Sequence, residues 1–253
     1  MRSIIAVALH RRAPVPQEAP YLPVQAGAAL HPPLGCARDD GPGSISQRNP
    51  LYCELTVHHH LWRQIDADVY GLCHYRRYFT LRPFGRKLPH ALTQAQLDRL
   101  MQRADVLVPR PRLYLIETNA SHYAHAHRES DLALVRQVIS DACPDFLPAF
   151  DRVMKRRWGR RFNMFIMRRE PFCAYSAWLF GILGEVEMRL GGDLPPRTLG
   201  YLGERLMDVW LEKERPRLRQ LRVLNTEGED WPRKIAAFLR RKFAAGHVKQ
   251  TGK

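Results

Sequence analysis

The stretch Gly71-Leu-Cys-His-Tyr-Arg-Arg-Tyr-Phe79 decides how this chain is read. With the preceding Asp68-Val-Tyr-Gly-Leu-Cys it forms a short, mostly apolar run that reads as a buried strand. The run stops abruptly at His74, Tyr75, Arg76 and Arg77. Ligands of open α/β sheets collect beyond the carboxyl ends of strands. A guanidinium suits phosphate oxygens, because its planar fork donates two parallel hydrogen bonds. Two readings therefore stand side by side: a strand that feeds an anion-binding site, and a strand followed by a solvated basic loop.

Outward from this stretch the pattern alternates. Residues 3–9 read as a first buried strand ending in His10-Arg11-Arg12. Residues 14–33, rich in Pro, Gly and Ala, read as an irregular loop, and Asp39-Asp40-Gly-Pro-Gly-Ser as a turn. Asn49-Pro50 reads as a helix start with Asn49 as cap, and the helix is expected over 51–64. Further helices are expected over 93–103, 130–141, 172–190 and 200–214. Strands are expected over 105–109, 162–167 and 221–224. Strands alternating with helices point to one α/β domain, assigned to residues 1–230.

The chain has 253 residues, 45% of them hydrophobic, and a net charge of +15. That charge calls for an anionic partner: nucleic acid, an anionic membrane surface or a phosphorylated substrate. Nucleic acid is not expected, because the basic residues form neither a recognition helix nor an RNA-binding motif. Cys36, Cys53, Cys73, Cys143 and Cys173 are odd in number and widely spaced, which argues against a disulfide framework or zinc site and for a reducing compartment. The apolar run at residues 4–9 is too short for a signal-peptide core, and no apolar run reaches the length of a membrane span. A cytoplasmic location is expected, peripheral on the inner face of the membrane.

Several constellations carry two readings. His58-His59-His60 fall within one expected helix, where neighbouring side chains diverge, so they read as packing histidines rather than ligands of one metal. Asp66-Ala67-Asp68 has the D-x-D form of a cation site but precedes the strand it should follow, and reads as a loop. No metal site and no cofactor are expected; cationic side chains would neutralise a diphosphate instead. Asn163 either orients a hydroxylated ligand or caps a turn. Glu204, in the first turn of a helix, is either a favourable dipole charge or a general base at a pocket rim. Trp62, Trp178, Phe180 and Trp210 read as core rather than as sugar platforms.

These motifs, in this order, resemble a domain family of bacterial capsular and exopolysaccharide biosynthesis proteins that is grouped with glycosyltransferases. The resemblance rests on Tyr21-Leu-Pro-Val-Gln-Ala-Gly-Ala28, Ile45-Ser46, Asn49, Tyr52-Cys-Glu-Leu-Thr56 with Trp62, and residues 71–79. In the C-terminal half it rests on Asn163-Met-Phe-Ile-Met167, Trp178-Leu-Phe180 and Gly200-Tyr-Leu-Gly-Glu-Arg-Leu206. It covers about residues 4–215. Gly43 and Ser44 stand where the family usually has Asp and Asn, and His59 and His60 where it is usually aromatic. The resemblance implies a single GT-A-like α/β domain, with a mixed, mostly parallel central sheet flanked by helices. It also implies transfer from a nucleotide-sugar donor, UDP-galactofuranose being one candidate, to a lipid-linked or oligosaccharide acceptor, with inversion. In that frame His74, Arg76 and Glu204 are the catalytic candidates, the first two for the diphosphate and the last for the acceptor hydroxyl. Gln25, Asp40, Asn49, Glu54, Arg77 and Asn163 are the donor-binding candidates.

The tail, residues 231–253, holds Arg233, Lys234, Arg240, Arg241, Lys242, Lys249 and Lys253 and no acid. Trp231, Ile235, Phe238, Leu239 and Phe243 recur at helical spacing, so a basic amphipathic helix on an anionic membrane surface is expected there.

Overall fold

The computed structural model describes residues 1–85, 87–191 and 194–227. The amphipathic tail read from the sequence lies outside them. In chain order the elements are β1 Ser3–Leu9, β2 Tyr21–Gln25, β3 Ala37–Arg38, α1 Asn49–Tyr52, α2 Leu55–Gln64, β4 Val69–His74 and β5 Arg77–Thr80. There follow α3 Gln94–Met101, β6 Val106–Pro109, β7 Arg112–Leu113, α4 Asn119–Ala124, α5 Glu129–Ala142 and α6 Leu147–Lys155. The last are β8 Trp158–Gly159, β9 Phe165–Arg168, α7 Arg169–Leu190, α8 Thr198–Glu214 and β10 Leu218–Asn225.

β1 and β4 lie at the centre of the sheet because they are apolar on both faces. They pair in parallel, Ile5 opposite Gly71. On the other side of β4, Gly71 faces Ile166 of antiparallel β9. A β-carbon on Gly71 would meet Ile5 Cγ1 at 2.9 Å and Ile166 Cγ1 at 3.1 Å, so only glycine lets the two isoleucines close over this strand. Alternation then divides the core. Tyr70 and Leu72 pack with α2 and α5–α8, whereas Val69 and Cys73 pack with Leu97, Leu100 and Met101 of α3.

The sheet is mixed, and the expectation of a mostly parallel one is corrected. β1–β2, β1–β4, β2–β3 and β6–β10 are parallel, but β4–β5, β4–β9, β5–β10 and β6–β9 are antiparallel. The antiparallel half arises because the basic stretch after His74 is not a loop. Tyr75 and Arg76 make a tight turn, and Arg77–Thr80 returns as β5 to pair with the distant β10.

Other expectations shift too. Residues 14–33 contain a strand, β2, parallel to β1. The helix expected over 51–64 is two helices, broken at Cys53, whose φ of 53° and ψ of −131° no helix accommodates. Asn49 is the first residue of α1 rather than its cap. Its amide donates to the Cys53 carbonyl at 2.8 Å and to Thr56 Oγ1 at 3.1 Å, stitching the break. The strand expected over 162–167 begins only at Phe165, because Phe162 and Asn163 both have positive φ.

Candidate active site

Backbone strain is concentrated at one place in the fold. Positive φ at a non-glycine residue is uncommon and concentrates at functional sites. Of the described residues Cys53, Leu115, Phe162, Asn163, Arg197 and Arg215 adopt it; Cys53, Phe162, Asn163 and Arg197 belong to one set of contacts, and Leu115 and Arg215 lie elsewhere. The break at Cys53 aims Glu54 out of the helix axis. Asn163 Nδ2 donates to Glu54 Oε1 at 2.8 Å and to the Gly200 carbonyl at 2.9 Å. The left-handed turn points the Phe162 carbonyl at His74 Nε2, 2.6 Å away, and its N–H at Glu204 Oε1, 2.9 Å away. Glu54 Oε1 lies 3.8 Å from His74 Nε2. Four residues distant in sequence, Glu54, His74, Asn163 and Glu204, thus meet through two strained residues.

Gly200 and Gly203 allow this. A β-carbon on Gly200 would crowd Cys53 at 3.3 Å, and one on Gly203 would meet Leu55 Cδ1 at 2.8 Å and Asn163 Oδ1 at 3.1 Å. The first turns of α8 therefore present a flat face against which the α1–α2 break and Asn163 can seat.

Electrostatics divides the cluster. Burial holds the His74 imidazole below its ordinary value despite the neighbouring Glu54, and its Nε2–H is spent on the Phe162 carbonyl. With its Nε2 turned to the Phe162 carbonyl, His74 holds the Phe162 turn in this structure. Burial raises the Glu204 carboxyl above the ordinary glutamate range, more than Arg205 and the Phe162 N–H lower it. Glu204 Oε2 receives Arg205 Nη1 at 3.1 Å, and each carboxylate oxygen retains accepting capacity. Beyond it His122 lies against Arg161 and Arg205, its pKa brought down to about 4 by burial and by those two cations.

The cations gather at the carboxyl ends of β1 and β4. His10 is held below its ordinary value by burial and then by the fields of Arg11, Arg76 and Arg197. Arg11 and Arg76 both reach Glu227, at 2.5 and 3.4 Å, so a carboxylate sits between the two guanidiniums. The Arg77 guanidinium lies 4.1 Å from the Phe162 ring centroid and joins this edge to the Glu204 cluster.

The remaining candidates have structural partners. Gln25 is buried, its amide donating to the Pro32 carbonyl and accepting from Leu34 N–H, so it shapes the loop after β2. Asp40 is paired with Arg38, which holds its carboxyl below the usual range. Its neighbour Asp39 is the buried one, accepting from the Gly27 and Ala28 N–H groups and the Ser46 hydroxyl. Asp66 pairs with Arg169, and Asp68 accepts from the Arg2 N–H, at the opposite end of β4. His58 is fully buried among aromatic rings. Among the described residues no three His, Cys, Asp or Glu side chains form a group that could hold a metal ion. Sequence reading did not single out Arg197, Arg161, Arg205 or His122 for the site. Arg11 carried a signal, at the end of the first apolar run.

Comparison with known proteins agrees with this architecture. In fold the chain is similar to a solved bifunctional glycosyltransferase, WbbM, in its apo form: the TM-score is 0.81 at 24% identity, over 90% of this chain and 46% of that one. It thus spans less than half of that protein's length. Residues 4–215 match the family described as "Domain of unknown function (DUF4422)", and the chain belongs to that family. No curated protein matches.

Proposed function

We propose that this chain is a GT-A-like glycosyltransferase, moving a sugar from a nucleotide-sugar donor to a hydroxyl of a growing surface polysaccharide. One juxtaposition carries the reading. An arginine-lined sheet edge is joined, through Arg77 on the Phe162 ring and the Phe162 N–H on Glu204, to a buried glutamate whose basicity is raised. The donor diphosphate rests on Arg11 and Arg76, taking the place that Glu227 holds between them, with Arg77 as support. Preorganised cations of this kind stabilise a leaving group at the moment its charge develops. Glu204 accepts the proton of the acceptor hydroxyl. The oxygen then attacks the anomeric carbon from the face opposite the diphosphate, whose bond breaks with the electron pair leaving on phosphate oxygen, and the configuration inverts. Asn163, Glu54 and His74 hold the floor of the site and fix the Phe162 turn that orients Glu204.

The fold likeness to a glycosyltransferase supports sugar transfer as the class of reaction. UDP-galactofuranose is the candidate donor, and a lipid-linked glycan the candidate acceptor. No described helix is long and apolar enough to cross a membrane; the basic tail is the proposed contact with an anionic inner leaflet.

The test is nucleoside diphosphate release from a panel of nucleotide sugars with oligosaccharide acceptors. Glu204→Gln keeps the shape and removes the base. It should retain donor binding and lose turnover by roughly 10²–10⁴-fold. Unchanged turnover would move the base to Glu54, and no release from any donor would refute the reading.

A further inference from the structure

An open cationic pocket lies apart from the cluster just described. Thr80, Arg82, Phe84, Arg110 and Arg222 line about 270 Å³ at the carboxyl ends of β5 and β6. Three features set it apart from ordinary basic surface. First, no carboxylate among the described residues pairs with Arg82, Arg110 or Arg222. Several other arginines of this chain are neutralised, Arg38 by Asp40, Arg136 by Asp151, Arg152 and Arg156 by Glu212 and Arg217 by Asp105, whereas here three without a carboxylate line one pocket. Second, the rim is built. The Thr80 hydroxyl donates to the His90 carbonyl at 2.7 Å and accepts the Arg82 N–H at 3.1 Å, while Arg222 Nη1 donates to the Pro83 carbonyl at 2.8 Å. Third, Phe84 stands beside the guanidiniums 85% exposed, an apolar face largely uncovered by the described residues.

Its position is informative. Thr80 pairs with Arg222 and Arg77 with Asn225 along the same ladder. At the rise of a strand, the cavity is therefore about 10 Å from Arg77. An extended molecule held here could reach the first site.

We propose that this cavity is a second anion-binding subsite, which takes a phosphate-ester group of the acceptor while Phe84 covers the sugar face or chain beside it. Charge-assisted guanidinium–phosphate bonds supply the recognition. Its assignment to the acceptor rests on the transferase reading; anion binding at the cavity does not.

The test is calorimetric titration of the full chain with inorganic pyrophosphate, comparing wild type, Arg82→Gln/Arg110→Gln and Arg76→Ala. Arg82 and Arg110 are exposed, so the double variant should melt as wild type does. Wild type should bind pyrophosphate at two sites, the Arg11–Arg76 edge and this pocket: Arg76→Ala should keep the pocket's event, and the double variant should keep the other while the pocket's event weakens at least about tenfold. No saturable event in Arg76→Ala, or a double variant that binds pyrophosphate as wild type does at every site, would overturn the proposal. Sedimentation with phosphatidic acid vesicles separates the sources. Vesicle binding that pyrophosphate competes and the double variant loses identifies a lipid-borne phosphate, and sedimentation equal in wild type and the double variant, with the pocket's pyrophosphate binding intact, identifies a soluble one.

Discussion

His58→Phe should make the protein less sensitive to acid. The His58 ring is completely buried, with centroids 4.8 Å from Phe165, 5.4 Å from Phe172 and 5.1 Å from Phe180. Its Nε2 lies 2.8 Å from the Ser176 hydroxyl, and its Nδ1 has no partner. Burial, and then neighbouring His59, brings its pKa from 6.5 down to about 3. The sign follows from linkage. A depressed folded pKa gives stability that is present above pH 6.5 and lost as pH falls toward 3, because the unfolded chain takes up a proton that the folded chain refuses. Between pH 7 and pH 5 the loss through this residue is about 2 kcal/mol at 1.36 kcal/mol per pKa unit. Phenylalanine keeps the ring packing but leaves the Ser176 hydroxyl without its partner, at a cost of about 1–3 kcal/mol at pH 7. Urea unfolding followed by tryptophan fluorescence at both pH values measures it. Other histidines titrate alike in the two proteins and cancel. The wild type should lose about 2 kcal/mol more than the variant. Equal losses would refute the argument.

Arg76→Ala should lower transfer by about two to three orders of magnitude, as losing one preorganised electrostatic contact does, while the melting temperature holds; activity within a few-fold of wild type would remove Arg76 from the site. The rate should show an acid limb above the ordinary glutamate range, because burial raises the Glu204 carboxyl and the base works only when ionised; a pH–rate profile without that limb would exclude Glu204. Gly203→Ala should displace Asn163 and Leu55 at a cost of about 1–3 kcal/mol, read by urea unfolding, and should lower turnover more than it raises the donor KM. A chain ending at Asp230 should stay folded and lose binding to anionic liposomes; retained binding would acquit the tail.

Legibility followed the locality of the interactions. β1 and β4 were plain as apolar runs, and α5, α7 and α8 as helical periodicities, because burial stamps a period on sequence. Trp210 is buried and Trp62 stacks on Phe180, as their spacing implied. β5 was not legible, since Arg77-Tyr-Phe-Thr becomes a strand only through its pairing with β10, far along the chain. β2 was hidden by the Pro and Gly around it. In the candidate site, Glu204 and Asn163 drew attention by residue type and Glu54 through the family resemblance. What brings them together was not, because a bulky phenylalanine gives no hint that it will adopt positive φ. The partner of His74 was not legible either, because its contact with the Phe162 carbonyl is an effect of tertiary packing.

The claim that a nucleotide-sugar diphosphate binds between Arg11 and Arg76 is tested most directly by thermal shift. Wild type and Arg76→Ala would be melted against a panel of nucleotide sugars at equal concentration. A ligand that binds only the folded state at about 100 times its Kd stabilises by about 2.7 kcal/mol, so one donor should raise the wild-type melting temperature by several degrees. The account predicts that this rise is specific to one donor and absent in Arg76→Ala. A panel with no rise, or a rise that Arg76→Ala retains in full, would contradict it.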